Sequence, residues 1–280
     1  MSRIHDALKK LEAERRGQGA HGNGHGGNGA NGGNGAGGNG ANGRRRWRWP
    51  FGRSGRSAGN GSPVNFDLGP EVEEAYQRLG TNLLVSPGQL PADHPRLLGI
   101  VAARHGEGTT TTAAVFASIL VRRRGGRVVV IEANMRTPSF ESAFGVRPTP
   151  GLAELVEAGA TLAEVAQPTS VPNLFAVAAG TSTLAPPTLF DSPGFAGALT
   201  QLREHFDFAI VDLPPVNVYG DALIVGPRLD AAIIVIEADV TRVPDVERAR
   251  RTMERSGVRF VGSVLNRQRN YIPAFLEEML

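Results

Sequence analysis

The sequence predicts an α/β protein, a mostly parallel, doubly wound sheet with helices on both faces. Three observations carry this. From about residue 70 onward, short apolar stretches alternate with stretches of helical spacing, the pattern of strand–helix–strand crossovers. A glycine-rich run, RHGEGTTTT, separates the first apolar stretch from the helical stretch after it. The chain has 280 residues, 41% of them apolar, enough for a substantial core. With no cysteine, a disulfide framework, thiol chemistry and a cysteine-ligated iron–sulfur site are excluded. No run of about 18 apolar residues exists to span a bilayer, and the charged, amphipathic start MSRIHDALKKLEAERR does not read as a signal peptide. A cytoplasmic location is expected.

In order along the chain, residues 1–16 read as an amphipathic helix. Ser2 is a plausible N-cap, and Ile4, Leu8 and Leu11 form one apolar stripe. A helix this short is marginal alone and needs a partner surface. Residues 17–63 read as a disordered linker: 14 of the 36 glycines fall between Gly17 and Gly43, a composition that cannot offset its ordering entropy. With a root-mean-square reach of about 35–40 Å, it would let the first helix search for its partner. Inside it, residues 44–56 (RRRWRWPFGRSGR) hold six arginines and no acid. Arg44, Arg45, Arg46 and Arg48 interleave with Trp47 and Trp49, with Phe51 beside them, a composition suited to an anionic membrane surface. Phosphate neutralisation and base stacking could also serve nucleic acid, but the membrane reading is preferred. The basic balance belongs to this arm: residues 1–63 sum to +8 against +3 for the whole chain, leaving residues 64–280 at −5.

Residues 64–280 form the globular domain. EVEEAYQRLGTNLLV is helical by spacing, RLLGIVAA is a strand, and AAVFASILVRRR after the glycine-rich run is a helix. GRVVVIEA is the second strand. GLAELVEAGA and TLAEVAQ are short helices, NLFAVAAG a strand, and FAGALTQLREH a helix. FDFAIVDLPP and DAAIIVIEA are strands, VPDVERARRTMERSG a helix, and RFVGSVLN the last strand.

Three strand ends carry chemistry. Gly106, Glu107, Gly108, Thr109, Thr110 and Thr111 open a helix, where free backbone N–H groups and the helix dipole favour a phosphate. Asp212 ends an apolar strand, as a Mg²⁺-side Walker B carboxylate would. Asn266 ends the last strand, where a base-binding amide could sit. Each alone has a structural alternative, as a tight turn, a loop carboxylate or a capping amide.

At these residues the chain resembles the bacterial protein-tyrosine autokinases of exopolysaccharide export, relatives of the ParA/MinD-type P-loop ATPases. Its EAYQRLGTN is similar to the family's EAYRxLRTN, GEGTTTT to GEGKST, IEANMRTP to IDADLRRP, DLPP to D-x-PP, and GSVLN to GVVLN. The likeness runs through nearly all of residues 72–270. It implies a P-loop NTPase fold, ATP or ADP with Mg²⁺ held by Thr110 and Asp212, and a partner in a membrane polysaccharide co-polymerase or chain-length adaptor. It also implies a location at the inner face of the membrane.

The departures from the family pattern fall on its working residues. The loop lysine is Thr109, and the two carboxylates of the second acidic strand are Glu132 and Asn134. In the E-x-x-R-x-x-R oligomerisation helix, Glu74 remains but the arginines are Gln77 and Gly80. The tail carries Tyr271 alone in place of a tyrosine cluster. The only lysines are Lys9 and Lys10, so Arg104 and Arg136 are the candidates to replace the missing ammonium. A guanidinium does not substitute freely for it.

Two readings compete. One is a pseudokinase, a regulatory partner of the adaptor or of a second, active tyrosine kinase. The other is an active autokinase with a rebuilt site, in which Glu132 and an arginine take over. The sequence favours the first, because phosphoryl transfer rests on preorganised charges. A ParA/MinD-like positioning ATPase ranks third, since it too needs the lysine. Without the two helix arginines, a monomer or a pairing with a different kinase is expected rather than a ring.

Overall fold

The computed structural model describes residues 69–85 and 96–268. The first helix, the linker, the arginine–tryptophan arm and Tyr271 lie outside the described residues.

The chain enters through helix α1 (Pro70–Val85) and strand β1 (Arg96–Ala102), then α2 (Thr109–Arg124) and β2 (Val128–Glu132). Short helices α3 (Phe140–Phe144), α4 (Leu152–Glu157) and α5 (Leu162–Val165) precede β3 (Gln167–Pro168) and β4 (Leu174–Val177). Helices α6 (Pro186–Asp191) and α7 (Pro193–His205) lead to β5 (Phe208–Asp212). Then come α8 (Asp221–Val225), β6 (Ala231–Glu237), α9 (Val243–Arg255) and β7 (Phe260–Asn266).

The seven strands run in the order β3-β4-β2-β5-β1-β6-β7, all parallel except the two-residue β3, which is antiparallel to β4. This is the mostly parallel, doubly wound sheet the sequence predicts. β2 shows why it forms: Val-Val-Val-Ile favours extended backbone, and all five of its residues are buried, as suits a strand covered on both faces.

Side chains alternate between two cores. On β1, Leu97 and Val101 join the core beneath α4–α9, while Leu98, Ile100 and Ala102 join the core beneath α1, α2 and α3. Helix α2 is buried continuously from Thr112 to Val121, because the sheet lies on one side and α1 on the other. Its last turn, Arg122–Arg124, places cations at the negative end of the helix dipole. Helices α3, α6 and α8 and strand β3 are absent from the sequence reading. At two to six residues each they are too short to show a periodic pattern.

The topology gathers the chemistry. β5 lies between β1 and β2, so the carboxyl ends of three strands distant in sequence meet at one edge. Glu132 and Asp212 are direct cross-strand partners there, and the loop after β1 runs beside them. In an open α/β sheet this edge is where ligands bind.

Candidate functional site

The loop after β1 reaches α2 through two residues in the left-handed region, Gly106 at φ +84° and Gly108 at φ +95°. At Gly108 a side chain is excluded twice over: the backbone is strained for any L residue, and a Cβ would lie 2.2 Å from Asn266 Nδ2. Helix α2 then begins at Thr109 with no side-chain cap, leaving its first N–H groups free to meet an anion.

Glu107 is a structural member of this loop. It is buried; its Oε2 accepts from the Arg104 N–H at 3.0 Å and its Oε1 from the Thr241 hydroxyl at 2.5 Å. Asn266 donates Nδ2–H to the Glu107 carbonyl at 2.9 Å, so the end of β7 is stitched to the loop. The amide that the sequence placed near a base is here engaged with backbone, since its Oδ1 also accepts from the Arg267 N–H.

Below the loop, Thr110 donates to Asp212 Oδ2 at 2.5 Å and lies 3.3 Å from Ser139 Oγ. Asp212 is fully buried, and its other oxygen, Oδ1, has no hydrogen-bond partner among the described residues. Burial pushes its carboxyl up to about 7; the Thr110 hydroxyl opposes this, and the neighbouring Glu132 charge adds to it. The orphaned oxygen beside a threonine hydroxyl suits a hard divalent cation, whose charge would offset the desolvation. No group of three or more His, Cys, Asp or Glu that could hold a metal occurs among the described residues. Such an ion would therefore also depend on ligand and water oxygens.

The end of β2 is built differently. Glu132 is buried, and burial raises its pKa, but its carboxylate accepts from three backbone N–H groups that oppose the shift. These belong to Ser139, Phe140 at 2.8 Å and Ala179 at 3.1 Å, so the side chain anchors the start of α3 to the end of β4. Asn134 donates to Thr137 Oγ1 at 3.0 Å and accepts from its N–H, closing a local turn. Arg136 forms a two-pronged pair with Asp221, Nε to Oδ2 at 2.9 Å and a second contact at 3.2 Å. Asp221 is 1% exposed. The guanidinium also lies 5.1 Å from the Tyr219 ring centre, and His105 meets the same ring edge-on at 5.4 Å. Arg104, the other candidate cation, is more than half exposed and 3.9 Å from Asp245.

On α1, Glu74 is exposed and pairs with Arg78 at 2.6 Å, and Gln77 bonds Glu73. Gly80 faces inward: a Cβ there would touch Phe116 of α2 at 3.7 Å. The three positions of the family's oligomerisation pattern thus do not share one exposed face.

Ser139, Thr137, Thr241 and Tyr219 belong to the site and went unnoticed in the sequence. Each lies a few residues past a strand end, which is the one signal that could have found them.

A glycine-bent loop at the head of a buried helix, beside a buried acid ending the neighbouring parallel strand, defines a P-loop NTPase fold of the ParA/MinD type. The septum site-determining protein MinD of Pyrococcus horikoshii, solved with Mg-ADP, shares it with a TM-score of 0.52 at 19% identity, over 66% of this chain and 76% of that one. The kinase domain of the Escherichia coli tyrosine kinase ETK superposes with a TM-score of 0.64 at 22% identity, over 72% of this chain and 79% of that one. Tyrosine-protein kinase CpsD of Streptococcus pneumoniae is 31% identical over 198 residues, 70% of this chain and 85% of that protein. The chain belongs to the bacterial tyrosine-protein kinases of the capsule and exopolysaccharide type. No protein-family model matches it.

Proposed function

We propose that this protein is a pseudokinase of its family: it holds a nucleotide with Mg²⁺ but transfers phosphate poorly, and it regulates polysaccharide export through a membrane chain-length adaptor. The observation that carries the reading is the engagement of Arg136. With Thr109 in place of the loop lysine, Arg104 and Arg136 are the candidate substitutes; Arg104 is more than half exposed beside Asp245, and both prongs of the Arg136 guanidinium are taken by buried Asp221. Moving Arg136 to a phosphate would leave that Asp221 carboxylate buried and unpaired, a cost of about 3–5 kcal/mol. Asn134 cannot supply the missing negative charge, and the Glu132 carboxylate is committed to backbone. Deleting one preorganised contact costs about 10²–10³ in rate, and here several are gone.

The binding half has more support. Thr110 and Asp212 fit Mg²⁺, and the first N–H groups of α2 fit a phosphate chain. Bound there, Mg²⁺ would supply charge that neutralises phosphate oxygens. Because Asp212 ionises only near pH 7, binding at pH 6 should release a proton. Calorimetry of ADP binding tests this, run with and without Mg²⁺ in two buffers of different ionisation enthalpy. Mg²⁺-dependent binding with proton release, abolished by Asp212→Ala, is expected; binding indifferent to Mg²⁺ and to Asp212→Ala contradicts it.

No helix among the described residues is long and apolar enough to cross a membrane. Our reading places the protein in the cytoplasm, held to the inner face of the membrane by Arg44–Arg48 with Trp47 and Trp49. The helix over residues 1–16 would be left to dock on the adaptor or on a second, active kinase. Flotation of the full chain on anionic but not neutral vesicles, weakening with salt and on Trp47→Ala with Trp49→Ala, is the expected result. Equal recovery on both vesicle types contradicts it.

A further inference from the structure

α1 and β7 enclose an open groove of about 320 Å³, walled by Val72, Ala75 and Leu79 on the helix and Val264 and Leu265 on the strand, and lined also by Gln268. β7 is an edge strand that hydrogen-bonds only to β6 among the described strands. Leu265 is 53% exposed beside it, one of the few large apolar side chains so exposed among the described residues. An edge strand with an apolar wall is normally covered.

The chain supplies a candidate cover. Gln268 is the last described residue, so the remaining segment, residues 269–280, begins at the groove itself. Its sequence is RNYIPAFLEEML, in which Ile272, Phe275, Leu276, Met279 and Leu280 recur at i, i+3, i+4, i+7 and i+8. That spacing makes one apolar helix face and sets Glu277 and Glu278 away from its centre. Pro273 falls where a helix tolerates it, in the first turn. Nine helical residues span about 13 Å, which matches the stretch of α1 from Glu71 to Leu79 that lines the groove.

We propose that residues 272–280 dock as an amphipathic helix in the α1–β7 groove of their own chain, tethering Tyr271 to its own domain. The closure entropy favours this occupant over residues 1–16. Only a few residues separate Gln268 from Ile272, whereas the N-terminal stripe sits beyond the whole glycine-rich linker.

The chain contains no cysteine, so introduced pairs can be read without background. In the full chain, Ala75→Cys is combined in turn with Phe275→Cys, Leu276→Cys, Glu277→Cys, Glu278→Cys and Met279→Cys, and oxidised under mild conditions. Ala75 is exposed on the groove wall, so its replacement leaves the core intact. Disulfides require Cα atoms within about 7 Å. The proposal expects monomeric cross-linked product, forming at least about five-fold faster at 275, 276 and 279 than at 277 and 278. Adding Leu265→Glu should abolish that difference. Equal rates at all five positions, cross-links found only between two copies, or a pattern unmoved by Leu265→Glu would each overturn it.

Discussion

The two halves of the site, a few ångströms apart on neighbouring strands, use similar side chains for opposite ends. At the loop after β1 and the end of β5, polar atoms are left available: the first N–H groups of α2 are uncapped and Asp212 Oδ1 is unpartnered. At the end of β2, every corresponding group is turned on the protein itself. Glu132 anchors three backbone N–H groups, Asn134 closes a turn and Arg136 is clamped by Asp221. A scaffold can thus keep the geometry that holds a ligand while the groups that would act on it become part of the framework. The family likeness alone does not separate those two properties.

Substitutions can break that contrast, and the largest effect is expected at Glu132. Glu132→Ala strands three N–H groups in the interior and should cost about 3–5 kcal/mol of stability, read by denaturant unfolding. Glu132→Gln, which keeps an acceptor for part of the set, should lose less than half of that. An alanine variant as stable as the parent would mean that Glu132 is not framework, and the rebuilt-kinase reading would gain.

Gly108→Ala should come next. The φ of +95° and the 2.2 Å approach to Asn266 Nδ2 place its cost at about 2–4 kcal/mol, with loss of ADP binding in calorimetry. Asn266→Ala in the same background should recover part of the stability, because it removes the clash but not the strain.

Asp212 sharpens the comparison through pH. Between its ordinary value of 3.8 and about 7, the carboxyl is neutral in the folded protein and ionised in the unfolded chain. Folding therefore takes up a proton in that window, and the contribution falls as pH rises through it. Asp212→Asn should flatten the stability profile between pH 4 and 7 and raise stability at pH 8 by roughly 1–3 kcal/mol, while removing Mg²⁺-dependent binding. The smallest effect is expected at Asn134. Its contact with Thr137 is a single local one, so Asn134→Ala should change stability by about 1 kcal/mol or less and leave ADP affinity unaltered.

Much of this is legible in the sequence alone. The strand order of the chemistry could be read because parallel strands are apolar throughout and stop where the chemistry begins, as at Asp212 and Asn266. What the side chains do there could not. Arg136 finds Asp221 85 residues away, and Thr241 finds Glu107 134 residues away, separations across which no spacing rule operates. Glu132 looked like a conservative stand-in for an aspartate. Its extra methylene and its place at the end of β2 instead let it serve three amides from two separate segments.

The central claim is that binding survives here and transfer does not. It is tested most directly by incubating the full chain with Mg²⁺ and γ-labelled ATP and following label on protein tyrosine, with Asp212→Ala as control. The account predicts label no greater than in the Asp212→Ala control, under conditions where calorimetry shows nucleotide bound. Robust tyrosine labelling of the unaltered chain, lost in Asp212→Ala, would contradict it.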